Sequence, residues 1–405
     1  MFEWNLDPDT GEGAVRDALM TLSVMQTSQA GDKVVGEGSA QWPIALMPHK
    51  EGGMGEYRDD SAEELRRHWQ TMSALSSALP SSGLGVLAER LNVDGPWPDD
   101  LTESPMILDT DIGSDPDDAL AVAAAARQLP QLALVLTTEQ TDWPQARARY
   151  ARWLMNSLGR TEVPVVAGVN LPSTENYYIY GLIPDLIPPQ PRDVIGAVRE
   201  VCRIHDGPVR WVGLGPLSNV RLVLEHAPDL VGRLRITQLG GALRHPDARD
   251  AEPNIRRDVS AARAVLKAVH CKKLSQPQFI GAETASNLSV DVTQEHGLYA
   301  MLSAPNVPVW AQILVDHLDQ WFKVGPSGNM QHAALTLSAA MGLPFVEYKR
   351  MLVAVDKAGR TNVSRAGTAV RWSVRADYEA FMSWLSCVLN PQIPNSSLML
   401  SLCES

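Results

Sequence analysis

Asp109-Thr110-Asp111-Ile112-Gly113-Ser114-Asp115-Pro116-Asp117-Asp118 places five carboxylates directly after the short apolar run Met106-Ile107-Leu108. Carboxylates crowded this closely repel one another, and taking them out of water is costly unless a cation or hydrogen bonds compensate. An oxygen-rich cluster suits Ca²⁺ or Mg²⁺. Residues 119–127, with Leu120, Val122 and a run of alanines, predict a helix opened by Asp118. The acids then sit in a strand-to-helix turn beside a positive dipole end. In open α/β sheets that is where ligands bind. The stretch therefore predicts an α/β protein with a metal site at a strand end.

Other readings of the cluster fit less well. A calcium loop of the EF-hand type needs Gly at its sixth position and Glu at its twelfth; counted from Asp109, those positions hold Ser114 and Leu120. A phosphatase of the haloacid dehalogenase type also begins with a strand and Asp-x-Asp, but has Thr or Val where this chain has Gly113. A solvated acidic turn capping a helix accounts for one or two acids rather than five.

The cluster resembles the N-terminal signature of the inosine-uridine nucleoside hydrolase family, Asp-x-Asp-x-Gly-x-Asp-Asp, with two extra residues before the final pair. Two further blocks are similar to that family's. Gly215-Pro216-Leu217-Ser218-Asn219 follows an apolar segment, 209–214, that reads as a buried strand, and precedes a helical segment at 220–224. Gln238-Leu239-Gly240-Gly241-Ala242 is followed by Glu252-Pro253-Asn254 and by Asp258 at the start of a helix through Ala261, Ala262 and Leu266. The resemblance runs from about Pro105 to Leu389. It implies a mostly parallel open sheet flanked by helices, Rossmann-like, preceded by an extension of helices and loop.

The resemblance also implies roles. Asp111, Asp117, Asp118 and the Ser218 carbonyl would hold Ca²⁺, with Asp115, from the longer first loop, as an added ligand. Asp111 or Asp117 would be the base that takes a proton from water. Glu252 and Asn254 would bind ribose hydroxyls, together with Asp117. His332, with an ordinary pKa near 6.5, would protonate the departing base. Tyr178 and Tyr180, in the tyrosine- and proline-rich segment 177–189 after a third strand at 163–168, would cover the substrate as an aromatic lid or form an oligomer contact.

Departures from the pattern cut across this picture. The family's His-Asp near the chain end becomes His332-Ala333, and a methyl group cannot coordinate Ca²⁺, so the ion would be bound weakly or not at all. After the second strand, 132–138, Glu139-Gln140-Thr141-Asp142-Trp143 replaces the family's Gly-Asn. Pro253 replaces an aromatic residue, and Pro246 stands where the family has asparagine.

Composition sets the frame. The chain has 405 residues and 45% hydrophobic content, enough for a large core. Residues 105–389 form the family-like domain, 1–104 an acidic extension and 390–405 a tail. The extension carries 18 acids against seven Lys and Arg, a net of −11, while the whole chain is −12. No basic patch for nucleic acid is expected, nor a membrane span. Residues 14–25 and 62–79 read as amphipathic helices, with Ser61 capping the second. The stretch between them reads as loop, and Pro96 and Pro98 as a stiff hinge. Residues 1–31 lack the features of a signal or transit peptide. Four scattered cysteines fit a reducing cytoplasm.

The expected function is metal-dependent hydrolysis of the N-glycosidic bond of a ribonucleoside or related ribosylated metabolite, a small-molecule ribosyl substrate, by a homodimer or homotetramer. The alternatives are a degenerate relative that binds a nucleoside or partner protein without turnover, and a relative with different chemistry on a biosynthetic intermediate.

Overall fold

The computed structural model describes residues 103–393 except 144, 174–176 and 245–249. The expected helices at 14–25 and 62–79, the loop and hinge of the extension, Pro246 and the tail beyond 393 lie outside the described residues.

Nine strands form one sheet. From one edge inward come β3 (Val165–Leu171), β2 (Leu132–Gln140), β1 (Met106–Thr110), β4 (Val209–Gly213), β5 (Leu234–Leu239) and β6 (Gln278–Ile280). These six run parallel, and β11 (Thr368–Ala376) continues the parallel run beside β6. On its outer side β9 (Val346–Val355) and then β10 (Thr361–Val363) pair antiparallel. β7 (Asp291–Thr293) and β8 (Gly328–Met330) form a separate antiparallel pair. The result is the mostly parallel, helix-flanked sheet expected from the sequence.

The unbroken apolar run of β1 follows from its central place. Met106 and Leu108 pack into one core cluster, and Ile107 into the other on the opposite face. A strand covered on both faces has no polar side to show. Each such fully buried aliphatic side chain contributes about 2 kcal/mol.

Helices α1 (Asp117–Gln128) and α2 (Ala146–Ser157) pack into the first cluster, and α3 (Val194–Ile204), α4 (Ser218–His226) and α6 (Val259–His270) into the second, with the short α5 (Pro253–Arg257) ahead of α6. The short α7 (Ala282–Ala285) and α8 (Gly297–Leu302) precede α9 (Val309–Val324), α10 (His332–Ala340) and α11 (Tyr378–Val388), which complete the first cluster. Every residue of α1 is buried, and its alanines admit α10, also alanine-rich, at close range. That contact carries His332 and Ala333 to the acid cluster.

Two local expectations shift. α1 begins with both Asp117 and Asp118 in its first turn, and Pro116, not Asp118, occupies the cap position. Proline has its φ already set for a helix start, and the Pro116 carbonyl accepts from Ala119 and Leu120. β3 starts at Val165 and runs three residues past the expected end; Pro164, which has no N–H to donate, keeps Val163 outside the ladder. No helix among the described residues is long and apolar enough to cross a membrane.

Candidate active site

Segments distant in sequence meet in one cavity of about 610 Å³. Asp111, Asp115, Asp117 and Asp118 form its acidic side. Glu252 and Asn254 face it from α5, His332 from α10, and Tyr178 with Trp321 supplies an aromatic side.

The acidic turn depends on Gly113, whose φ of +106° suits glycine and whose missing Cβ would lie 2.7 Å from the Ile179 side chain. The Gly113 carbonyl accepts from the Tyr178 backbone N–H at 2.9 Å, which docks the tyrosine segment on the turn. Each acid has its own donor. The Thr110 hydroxyl donates to Asp118, and the Asn329 amide to Asp115. The Ala333 N–H donates to Asp117 Oδ2 at 2.8 Å. The C-terminal block thus reaches the cluster with a backbone donor.

Asp109, first of the five quoted acids, is not part of the cavity lining. It is buried at the end of β1 and accepts from Asn219 Nδ2 at 2.8 Å. Burial pushes its carboxyl up to about 8, against the Asn219 hydrogen bond that lowers it. Asn219 Nδ2 also meets the Thr137 carbonyl at 3.2 Å, and its Oδ1 accepts from Val169 N–H at 3.0 Å. One side chain from the Gly-Pro-Leu-Ser-Asn block thereby ties β1, β2 and β3 together.

Burial also pushes Asp117 up to about 8, with the neighbouring Asp118 charge adding to the shift. Asp118 and Asp115 are pushed well above the usual carboxylate range, first by burial, then by Asp111 and Asp117 respectively. These mutual repulsions are what a bound cation relieves, and hard carboxylate oxygens match Ca²⁺ or Mg²⁺ in type. Among the described residues, however, no three acidic, imidazole or thiol side chains are arranged to grip one ion.

Two arginines that carry no local signal in the sequence reach Asp111. Arg257, the last residue of α5, donates from Nη1 to Asp111 Oδ2. Arg147 Nη1 lies 3.6 Å from the same oxygen. Arg147 is fully buried and fixed by the Ser114 hydroxyl at 2.7 Å and the Thr138 carbonyl at 3.0 Å. Glu139, near the end of β2, accepts from the N–H groups of Arg147 and Ala148 and from the Thr137 hydroxyl. Glu139 thus anchors the start of α2 and with it Arg147.

Both Glu252 oxygens hold backbone donors: Oε1 accepts from Asn254 N–H at 3.0 Å, and Oε2 from Gly241 at 2.8 Å and Ile255 at 3.0 Å. Glu252 therefore caps α5 while facing the cavity, and burial raises its pKa. Asn254 Nδ2 donates to the Leu214 carbonyl at 2.7 Å, fixing its amide.

Ser218, Tyr180 and His332 complete the residues singled out in the sequence. Ser218 is buried at the start of α4 but is not part of the cavity lining; its hydroxyl donates to Asp258 Oδ2 at 2.7 Å, and Asp258 caps α6. Tyr180 is 62% exposed and stacks on Trp143 at 4.7 Å, in a neighbouring groove with Tyr177 and Lys323. The chain turns between the tyrosines, so only Tyr178 faces the cavity, edge-on to Trp321 with ring centres 4.9 Å apart. His332 does not keep an ordinary pKa: burial lowers it to about 4, so the imidazole is neutral at pH 7. Its Nε2 lies 3.4 Å from the Ser286 hydroxyl. Trp321 escaped the sequence reading because one tryptophan near the end of an amphipathic helix carries no local signal.

An open, mostly parallel sheet with acids at the carboxyl end of a central strand places this cavity where α/β proteins bind their ligands. A plant nucleoside hydrolase, PpNRh1, superimposes with a TM-score of 0.57 at 20% identity, covering 71% of this chain and 99% of that one. The effector XopQ, solved with adenosine diphosphate ribose, gives 0.56 at 18%, covering 75% and 97%. The profile of the inosine-uridine preferring nucleoside hydrolases matches residues 106–383, and the chain belongs to that family. Pyrimidine-specific ribonucleoside hydrolase RihA of Enterobacter sp. (strain 638) is 32% identical over 154 residues, 34% of this chain and 48% of that protein. RihA of Shewanella sp. (strain ANA-3) is also 32% identical, over 151 residues, 34% and 47%. The chain thus spans about half the length of the curated relatives it matches.

Proposed function

We propose that the protein hydrolyses the N-ribosyl bond of a ribonucleoside or a related ribosylated metabolite. The observation that carries this reading is the convergence of the acidic turn, Glu252, Asn254 and His332 with the Tyr178–Trp321 wall around one cavity of nucleoside size.

Asp111, Asp117 and Asp118, with Asp115, are the residues that would hold Ca²⁺. Bound there, the ion would supply Lewis-acid charge that offsets the crowded carboxylates and would make a neighbouring water more acidic. Asp111 or Asp117 takes the proton of the attacking water. As the glycosidic bond lengthens, positive charge grows on the ribosyl ring, and the acidic side of the cavity stabilises it. Glu252 and Asn254, fixed by their backbone hydrogen bonds, orient the ribose hydroxyls. Tyr178 and Trp321 stack against the base. His332 meets the departing base as a neutral imidazole that donates a hydrogen bond; full proton transfer from it gains weight only as the pH falls toward about 4. Free thiols at Cys202, Cys271 and Cys387 support a reducing compartment such as the cytoplasm.

Binding without turnover is the second reading, favoured by the Arg257–Asp111 ion pair and by Ala333. The test is release of free ribose from uridine and from inosine, with Ca²⁺ present, by the full chain and by Asp117→Asn. Ribose release lost in the variant supports hydrolysis. Nucleoside binding by calorimetry without any ribose release sinks it in favour of the second reading.

A further inference from the structure

We propose that Arg257 is a resident competitor for the ion site: its guanidinium holds the Asp111 carboxylate that a divalent cation would otherwise claim, so the ion enters only as Arg257 gives way. The inference rests on reading the acidic turn as an ion site, and it concerns how that site is controlled.

Arg257 lies three residues after Asn254 on α5, on the same side of the helix. Glu252 caps that helix and Asn254 is tied to the Leu214 carbonyl, so the approach of Arg257 is set by a fixed element. Its side chain is only 4% exposed, and Nη1 hydrogen-bonds Asp111 Oδ2. On the other side, Gly215 leaves room for the acid: a Cβ there would lie 2.8 Å from Asp111 Cγ. Asp111 is thus wedged between backbone and guanidinium.

The chemistry makes the arginine a rival. A guanidinium is a cationic fork that matches a carboxylate, so it competes for Asp111 as an ion would. A divalent ion drawn to the same carboxylate repels it. Arg147 cannot take this role, because it is fully buried and fixed by Ser114 and Thr138. Arg257 is the one of the two whose Nη1 hydrogen-bonds Asp111 directly, whereas Arg147 Nη1 stays 3.6 Å away. Ala333 fits the same account, since it adds no carboxylate to the turn.

The experiment is calorimetric titration of the full chain with Ca²⁺ alone, comparing wild type, Arg257→Met and Arg257→Lys, each with and without Asp118→Ala. Folding is checked by circular dichroism. Removing the charge is expected to tighten Ca²⁺ binding by about tenfold or more, and Arg257→Lys, which lacks the guanidinium fork, to fall between. If Arg257→Met does not fold, tightening in Arg257→Lys carries the test. Equal or weaker affinity in the folded variants, or no binding in any of them, overturns the proposal. Binding that Asp118→Ala abolishes but Arg257 leaves unchanged would overturn the competition while leaving the ion site standing. Binding indifferent to Asp118→Ala would remove the ion site and the proposal together.

Discussion

Tyr178 and Tyr180 differ by two positions, yet only Tyr178 faces the cavity, against Trp321. Tyr178→Ala is expected to raise KM for a nucleoside by roughly tenfold, since stacking on a base contributes about 1–3 kcal/mol, with little change in kcat. Tyr180→Ala should leave both constants near wild type, because that ring packs on Trp143 in the neighbouring groove. Steady-state kinetics on uridine and inosine checks the pair, and equal effects of the two substitutions would contradict the assignment. At this scale much was legible. The carboxylates at 111, 115, 117 and 118, Glu252, Asn254 and His332 were all named from sequence, and all line the cavity. Arg147, Arg257 and Trp321 were not, because long side chains reach the site from elements whose own sequence says nothing about where they point.

At the scale of the element, Asn219 has the largest mechanical consequence. Its amide bridges Asp109, the Thr137 carbonyl and Val169 N–H, and so links three neighbouring strands at the edge of the site. Asn219→Ala would strip these buried groups of a partner. The expected loss is about 2–4 kcal/mol, measured by urea denaturation; a loss below about 0.5 kcal/mol would show that water or a neighbour replaces the amide. Element types were largely readable from the apolar periods of β1, β2, β4, α4 and α6. Their ends were less so. The start of α1 moved because Pro116 set the first turn, and β3 ran on because it pairs with β2 as far as Leu171.

For the molecule as a whole, His317 on α9 makes stability depend on pH. It is fully buried, its Nε2 lies 3.3 Å from the Ser114 carbonyl, and its ring meets Tyr150 edge-on. Burial lowers its pKa from 6.5 to about 3. The unfolded chain therefore takes up a proton at higher pH than the folded one. The contribution of His317 is present in full above about pH 6.5 and is lost progressively as the pH falls toward about 3. Within that window His317→Phe should make the acid-side slope of stability shallower by up to about 1.4 kcal/mol per pH unit, although buried acids such as Asp109 set an opposing background in both proteins. Denaturant melts across the range would show it, and identical slopes would refute it.

By itself the sequence determined the fold class, the acidic strand end and the order of the family blocks, because hydrophobic period and the chemistry of clustered carboxylates are local properties. Only the tertiary structure decided which acid faces the cavity and which braces the sheet, which tyrosine meets the site and how far His332 departs from an ordinary imidazole. Those outcomes depend on burial and on partners more than a hundred residues away, as in Asp109 with Asn219 and Asp111 with Arg257. No local pattern encodes them, since the packing of helices on the sheet fixes the distances.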